Sequence, residues 1–243
     1  MKLELKKKPK NPIIIEGFPG FGLVGTIASE FLISHLKCEQ IGRFYSEEMP
    51  ATVAIHSGKI IDPVSIYYNK KFNIVIIHSV SGTTGIEWKS AQTVLEICKQ
   101  LDAKELVCLE GVGAAGEMQE QPEASDEKTD AFFFSSCQKC VKKLKDAGVE
   151  QLNEGIIMGV TSALILTSKV PLTCLFAETH SNLPDSKAAA KLVEILDKYI
   201  GLNVDYKPLL KQAEQFEEKL KGLMEKGMKA KEIKDKKSLS YVG

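Results

Sequence analysis

Gly17-Phe-Pro-Gly-Phe-Gly-Leu-Val-Gly25 places four glycines and a proline between the apolar run Ile13-Ile14-Ile15 and a stretch of helical character, Leu23 to Leu36. Glycine admits φ > 0 and close backbone approach, and proline fixes φ, so the segment predicts a tight strand-to-helix crossover. Two uses fit it. The N–H groups that open the following helix can hold an anion, or the glycines can let helix and sheet pack closely. Gly20-Phe-Gly22-Leu-Val-Gly25 spells GxGxxG, yet the acidic residue expected about 20 positions later at a second strand end has no clear candidate. Glu39 follows a cysteine at a helix end, and Glu47-Glu48 sit in a polar turn. No Lys-Ser/Thr pair follows the glycines, so the segment is no P-loop.

Outward from this turn the chain alternates. Ile13–Ile15, Val53–Ile55, Val64–Tyr68, Ile74–Val80, Leu106–Leu109, Phe132–Phe134, Ile156–Met158 and Thr173–Phe176 have the length and composition of strands. Between several of them lie helical periods. Ala91, Val94, Leu95, Cys98 and Leu101 share one face, and Thr161 to Thr167 suits a short buried helix. Pro184-Asp185 opens a helix whose Ala189, Leu192, Val193, Leu196 and Ile200 form a stripe, with Gly201 at its end. The alternation predicts an α/β layered domain over residues 1–203, with an antiparallel hairpin over Val53–Tyr68. No internal repeat is visible.

Several blocks carry a family resemblance. Gly17 to Gly25, Cys38-Glu-Gln-Ile-Gly-Arg-Phe-Tyr-Ser46, Met49-Pro50, Ser57-Gly-Lys-Ile-Ile-Asp-Pro63, Glu154-Gly-Ile-Ile-Met-Gly-Val-Thr-Ser162 and Glu178-Thr-His-Ser-Asn-Leu-Pro-Asp-Ser-Lys-Ala-Ala-Ala190 keep one order along the chain. Together they resemble the proteasome-assembly-chaperone family, specifically the archaeal relatives of the second partner of the paired eukaryotic chaperones. Gly17, Pro19, Gly20, Gly22 and Gly25 form its signature loop. The resemblance implies an α/β sandwich with a mixed central sheet, related to nucleoside-phosphorylase-like folds. It also implies a binding role, on proteasome α subunits, without catalytic residues.

Composition sets limits. With 243 residues, 44% hydrophobic and 26% charged, the chain is long enough for one large core. Its 32 basic and 32 acidic side chains cancel, so no global field favours nucleic acid or an anionic membrane. No apolar run reaches the roughly 20 residues of a membrane helix, and Met1-Lys-Leu-Glu-Leu-Lys-Lys-Lys lacks a signal-peptide centre. A cytoplasmic protein without cofactor is expected.

Candidate chemistry is sparse. Four of the six cysteines, Cys38, Cys98, Cys108 and Cys174, stand singly in apolar surroundings. Cys137-Gln-Lys-Cys140 is a CxxC without a second pair or a nearby His at zinc spacing, so no metal is expected. It also lacks the strand-then-helix redox context with Pro or Gly between the thiols, and reads as helix packing. His78-Ser-Val-Ser81-Gly-Thr-Thr-Gly85 and Glu178-Thr-His180-Ser-Asn each follow a buried strand, where α/β folds place ligands. With Gly111 and Gly113 after a third strand, they are candidates to line one cleft. Against catalysis stand four His, no GxSxG or HExxH, and Arg43 as the only arginine. The acidic stretch Gly113 to Asp130 reads as a solvated loop or a partner-contacting lid.

The C-terminal region carries a second signal. Tyr206, Leu209, Ala213, Phe216, Leu220, Leu223 and Gly227 alternate at spacings of 3 and 4, the a/d pattern of a coiled-coil seam. A helix over 204–228 follows, and its stripe either packs on its own domain, self-associates into a homo-oligomer through Leu209, Phe216, Leu220 and Leu223, or meets a partner's helix. Residues 229–243 form a basic tether ending Leu239-Ser-Tyr-Val-Gly243. Relatives in the family are similar in docking a C-terminal hydrophobic-tyrosine-any tripeptide between α subunits. Here Tyr241 is third from the end, so Tyr241, Val242 and Gly243 are imperfect candidates for that contact. The alternative to a chaperone is a phosphorylase- or hydrolase-like enzyme with a glycine-lined cleft near Gly20, Ser81 and His180. A third reading is an oligomeric scaffold with partners unrelated to the proteasome.

Overall fold

The computed structural model describes residues 1–49, 51, 53–56, 58–113, 130–179 and 184–211. In chain order the elements are β1 (Lys2–Leu5), β2 (Ile13–Gly17), a 3-10 turn (Phe21–Leu23), α1 (Val24–His35), β3 (Glu39–Tyr45), β4 (Ala54–His56), β5 (Lys59–Ile61), β6 (Val64–Asn69) and β7 (Ile74–Ser79). Then come α2 (Glu87–Gln100), β8 (Glu105–Gly113), β9 (Ala131–Ser135), α3 (Gln138–Asp146), β10 (Glu150–Gln151), α4 (Gly159–Thr167), β11 (Leu172–Thr179) and α5 (Ser186–Ile200). Residues 207–211 are helical.

Nine strands form one mixed sheet in the order β1-β3-β6-β7-β2-β8-β11-β9-β10. The centre, β7-β2-β8-β11, is parallel, and antiparallel strands extend it on both sides. Central parallel strands are covered on both faces, which is why they read as near-continuous apolar runs. Alternation divides them. Ile15, Ile76, Val107 and Leu109 pack on one side with α1 and α5, while Ile14, Ile77, Leu106 and Cys108 pack on the other with α2 and α4. The architecture is the expected α/β sandwich, with two cores separated by the sheet.

The helices obey their predicted stripes. In α5, Ala189, Leu192, Val193 and Leu196 are buried. Asp185 caps its start by accepting the Ala188 N–H at 2.9 Å, and Gly201, at φ 74°, closes its end. Two expectations need correction. The stretch Ile156–Met158 is irregular backbone, with no strand among the described residues pairing to it. Residues 53–68 also do not form one hairpin: β4 and β5 make a separate two-stranded sheet, while β6 joins the main sheet between β3 and β7. Short apolar runs carry no information about their partner, so both errors have the same origin.

Candidate functional site

The glycine turn is a packing device. A Cβ on Gly25 would lie 2.2 Å from the Leu109 carbonyl oxygen, so α1 sits on β8 at a distance only glycine allows. Gly22 holds φ 60°, the left-handed region, and Leu23 follows it there at φ 51°. Of the two uses the turn permits, close packing is the one realised. The space beside Gly20 is taken by a carboxylate: a Cβ there would fall 1.7 Å from Glu110 Oε1.

Beyond this turn opens a cleft of about 360 Å³, at the carboxyl end of the central strands. Phe18, Pro19, Phe21, Val112, Ile157 and Val160 are among its walls, and Glu110 is the only titratable one among the described residues that line it. Neither Lys, Arg nor His is among the described residues that line it. Pro19, Gly20 and Gly22 of the signature loop face the cleft, as do Gly111 and Gly113, whereas Gly17 and Gly25 serve the packing behind it.

Two carboxyls lie at this end of the sheet, Glu110 in the cleft lining and Glu16 buried behind it. Glu16 pairs with Cys108 in the β2–β8 register, so Glu110, two residues beyond Cys108, emerges on the same face one step nearer the opening. Thr161 of α4 donates its hydroxyl to Glu110 Oε2 at 2.8 Å. The Phe18 N–H donates to Glu16 Oε1 at 3.1 Å, while Glu16 Oε2 is buried with no hydrogen-bond partner. Loss of hydration raises the Glu16 pKa from 4.5 to about 8. The charge of Glu110 adds to that rise, and hydrogen bonds from Cys108 and the Phe18 N–H oppose it. Burial likewise lifts Glu110 to about 7 against hydrogen bonds from Thr161 and the Gly111 N–H. Two carboxyls whose pKa values burial raises, with no cation among the described residues that line the cleft, are an uncommon arrangement.

Residues 14–224 match the model of the PAC2 family. The chain belongs to the PAC2 family. It is 32% identical over 226 residues, 90% of this chain and 88% of the relative, to an uncharacterized protein of Methanocaldococcus jannaschii. Among solved structures it is similar to Pyrococcus furiosus PbaA, described as an archaeal homolog of proteasome-assembly chaperone, with TM-score 0.79, 30% identity and 97% of each chain covered. Pyrococcus furiosus PbaB, described as an archaeal proteasome activator, shares the fold at TM-score 0.73 and 21% identity, over 92% of this chain and 98% of its own.

The other candidate residues of this PAC2 protein fall elsewhere. Ser81 is buried and donates to the Gly82 carbonyl at 3.4 Å, outside the cleft lining; His180 lies outside the described residues. His78 sits on the opposite face, its Nδ1 2.8 Å from Ser29 Oγ, which itself donates to the Thr26 carbonyl at 3.0 Å. Burial lowers the His78 pKa to about 4, and both side chains are sealed in the core, so this pair is a satisfied internal contact. Leu209 is buried against its own domain. Phe216, Leu220, Leu223, Tyr241, Val242 and Gly243 lie outside the described residues.

Cys137 caps the start of α3, directly after β9. The strand-then-helix context expected to be missing from the CxxC is therefore present, although Gln138-Lys139 replaces the Pro or Gly. The Cys140 hydrogen bond holds the Cys137 thiol below its ordinary pKa, and burial pushes Cys140 up to about 11. Among the described residues no group of three or more His, Cys, Asp or Glu could hold a metal, and no helix is long and apolar enough to cross a membrane.

Sequence reasoning missed Glu16 and Glu110. The signal was present: each is a single carboxylate closing an apolar run, followed by glycine, in Ile13-Ile-Ile-Glu-Gly17 and Leu106-Val-Cys-Leu-Glu-Gly111.

Proposed function

We propose that this PAC2 protein is a non-catalytic proteasome-binding protein that contacts α subunits and favours their ordered association. The observation carrying this reading is 30% identity across 97% of both chains with PbaA. Surface complementarity would be the mechanism. Ile156 is 89% exposed and Met158 61% exposed, and Phe21, on the facing side of the same cleft, is 44% exposed. Apolar side chains standing around one opening are what a protein-contact surface requires.

An enzyme reading finds less support. Phosphate binding calls for cationic side chains or free N–H groups, and this cleft instead presents a carboxyl beside Gly20. No nucleophile is among the described residues that line the cleft with Glu110, and the Thr161 hydroxyl behind it is committed to that carboxylate. We further place self-association on the heptad-spaced Phe216, Leu220 and Leu223, and a reversible contact on Tyr241 to Gly243. Affinity purification from the native cell, with the C-terminus intact, tests the reading. Recovery of proteasome α subunits supports it, and their absence from a soluble, folded bait overturns it.

A further inference from the structure

We infer that the cleft between the glycine turn and residues 156–160 is a binding site for an organic cation: an ammonium group carried on an aliphatic stem. This inference is independent of the proteasome reading. The walls supplied by Phe18, Val112, Ile157 and Val160 suit methylene groups, and Glu110 supplies carboxyl oxygens. Glu110 faces the cavity, and Glu16 lies one step deeper with its carboxyl turned toward Phe18, whose N–H it accepts.

Glu16 lies behind this lining, near enough for its carboxyl and that of Glu110 to repel each other. Its carboxyl is fully buried and takes hydrogen bonds from the Phe18 N–H and Cys108, with Oε2 left without a partner among the described residues. Among the described residues, none that lines the cleft supplies a cation. β2 contributes Glu16, β8 contributes Cys108 and Glu110, β11 contributes Cys174 and Glu178 on the same face, α4 contributes the Thr161 hydroxyl, and Asp185 packs against Gly22. Every charged member of this set is acidic. An ammonium ion entering along an apolar wall therefore meets the Glu110 carboxyl, and its charge offsets the repulsion that Glu110 and the Glu16 carboxyl behind it exert on each other when both are ionised.

The volume, about 360 Å³, is that of an ordinary small-ligand site and exceeds what one aliphatic chain fills. Binding couples to proton release, because Glu110 must ionise to hold a cation. Nothing else needs to be transferred. Two sources share this chemistry: a free alkylamine, and the lysine side chain of a partner protein.

The experiment is calorimetric titration of the full-length protein with n-hexylammonium, n-hexanol and an acetylated, amidated alanine peptide holding one lysine. Hexylammonium should bind at least about tenfold more tightly than hexanol, the discrimination expected when a charged head is held by a carboxylate. Its affinity should rise about tenfold from about pH 6 to about pH 8, as Glu110 passes from mostly protonated to mostly ionised. Near pH 6.5 the apparent enthalpy should change with buffer, reporting protons released. Glu110→Gln should remove both the preference and the proton release, and a folded Thr161→Val variant should retain them with altered pH midpoint. Binding of the peptide as well as the amine assigns a lysine side chain, and binding of the amine alone assigns a free ligand. Equal affinity for hexanol, no binding of hexylammonium, or a preference unchanged in Glu110→Gln overturns the inference.

Discussion

Replacing Glu16 by Gln should change how stability responds to pH. In the folded protein its carboxyl holds a proton up to about pH 8, against an ordinary value of 4.5. The folded state therefore binds the proton more tightly than the unfolded chain. Such a group contributes stability that is complete below the unfolded value and is lost as pH rises through the folded value. Between about pH 5 and about pH 8 the loss amounts to about 3 to 4 kcal/mol, at ~1.4 kcal/mol per unit of displacement. For a domain of this size that corresponds to roughly 10 °C in Tm. The Gln side chain is nearly isosteric and does not titrate, but it buries an extra N–H donor that costs about 1 kcal/mol or more if unpaired. Glu16→Gln should thus be equal to or less stable than the native protein near pH 5, and more stable near pH 8. Chemical denaturation at a series of pH values reads this directly. Parallel pH profiles for the two proteins would refute the reasoning, because they would mean that Glu16 ionises as freely in the fold as out of it. His78 acts in the opposite sense, since its depressed value favours the neutral ring and its contribution is lost as pH falls from 6.5 toward about 4.

Gly25→Ala should destabilise by about 3 kcal/mol, because the added methyl meets backbone on both sides, the Leu109 carbonyl at 2.2 Å and the Phe18 carbonyl at 3.1 Å, and neither can rotate away; an unchanged midpoint in denaturant would show that α1 can lift from the sheet. Leu220→Asp should convert the proposed homo-oligomer to a species near 26.8 kDa by light scattering, whereas an unaltered mass would remove the heptad seam from the interface. Deleting Tyr241 to Gly243 should weaken binding to α subunits while leaving Tm unchanged, since the proposed contact rests on the aromatic Tyr241 and not on the folded domain. Equal binding by the truncated chain would place the whole contact on the globular domain.

Much of the fold was legible because it rests on local rules. Ile13–Ile15 and Leu106–Leu109 are buried on both faces and read as unbroken apolar runs, and Asp185 and Gly201 mark both ends of α5 in sequence as in space. What failed is what depends on pairing or on surroundings. Ile156–Met158 has the composition of a strand but finds no neighbour, because the edge positions beside β9 are taken by β10 and β11. The glycine turn could be located but not assigned a use, since the deciding fact is a carboxylate from β8, some ninety residues away in the chain, lying against Gly20. Glu16 and Glu110 look like ordinary surface charges until the parallel register places them on one buried face. A pair of carboxyls becomes visible only when the sheet is assembled.

The central claim is contact with the proteasome α ring. Its most direct test is sedimentation velocity of the purified full-length protein mixed with purified α subunits from the same cell. The account predicts that the protein comigrates with α subunits and raises the fraction found in rings. Independent sedimentation of the two at micromolar concentrations, with ring formation unaffected, would contradict it.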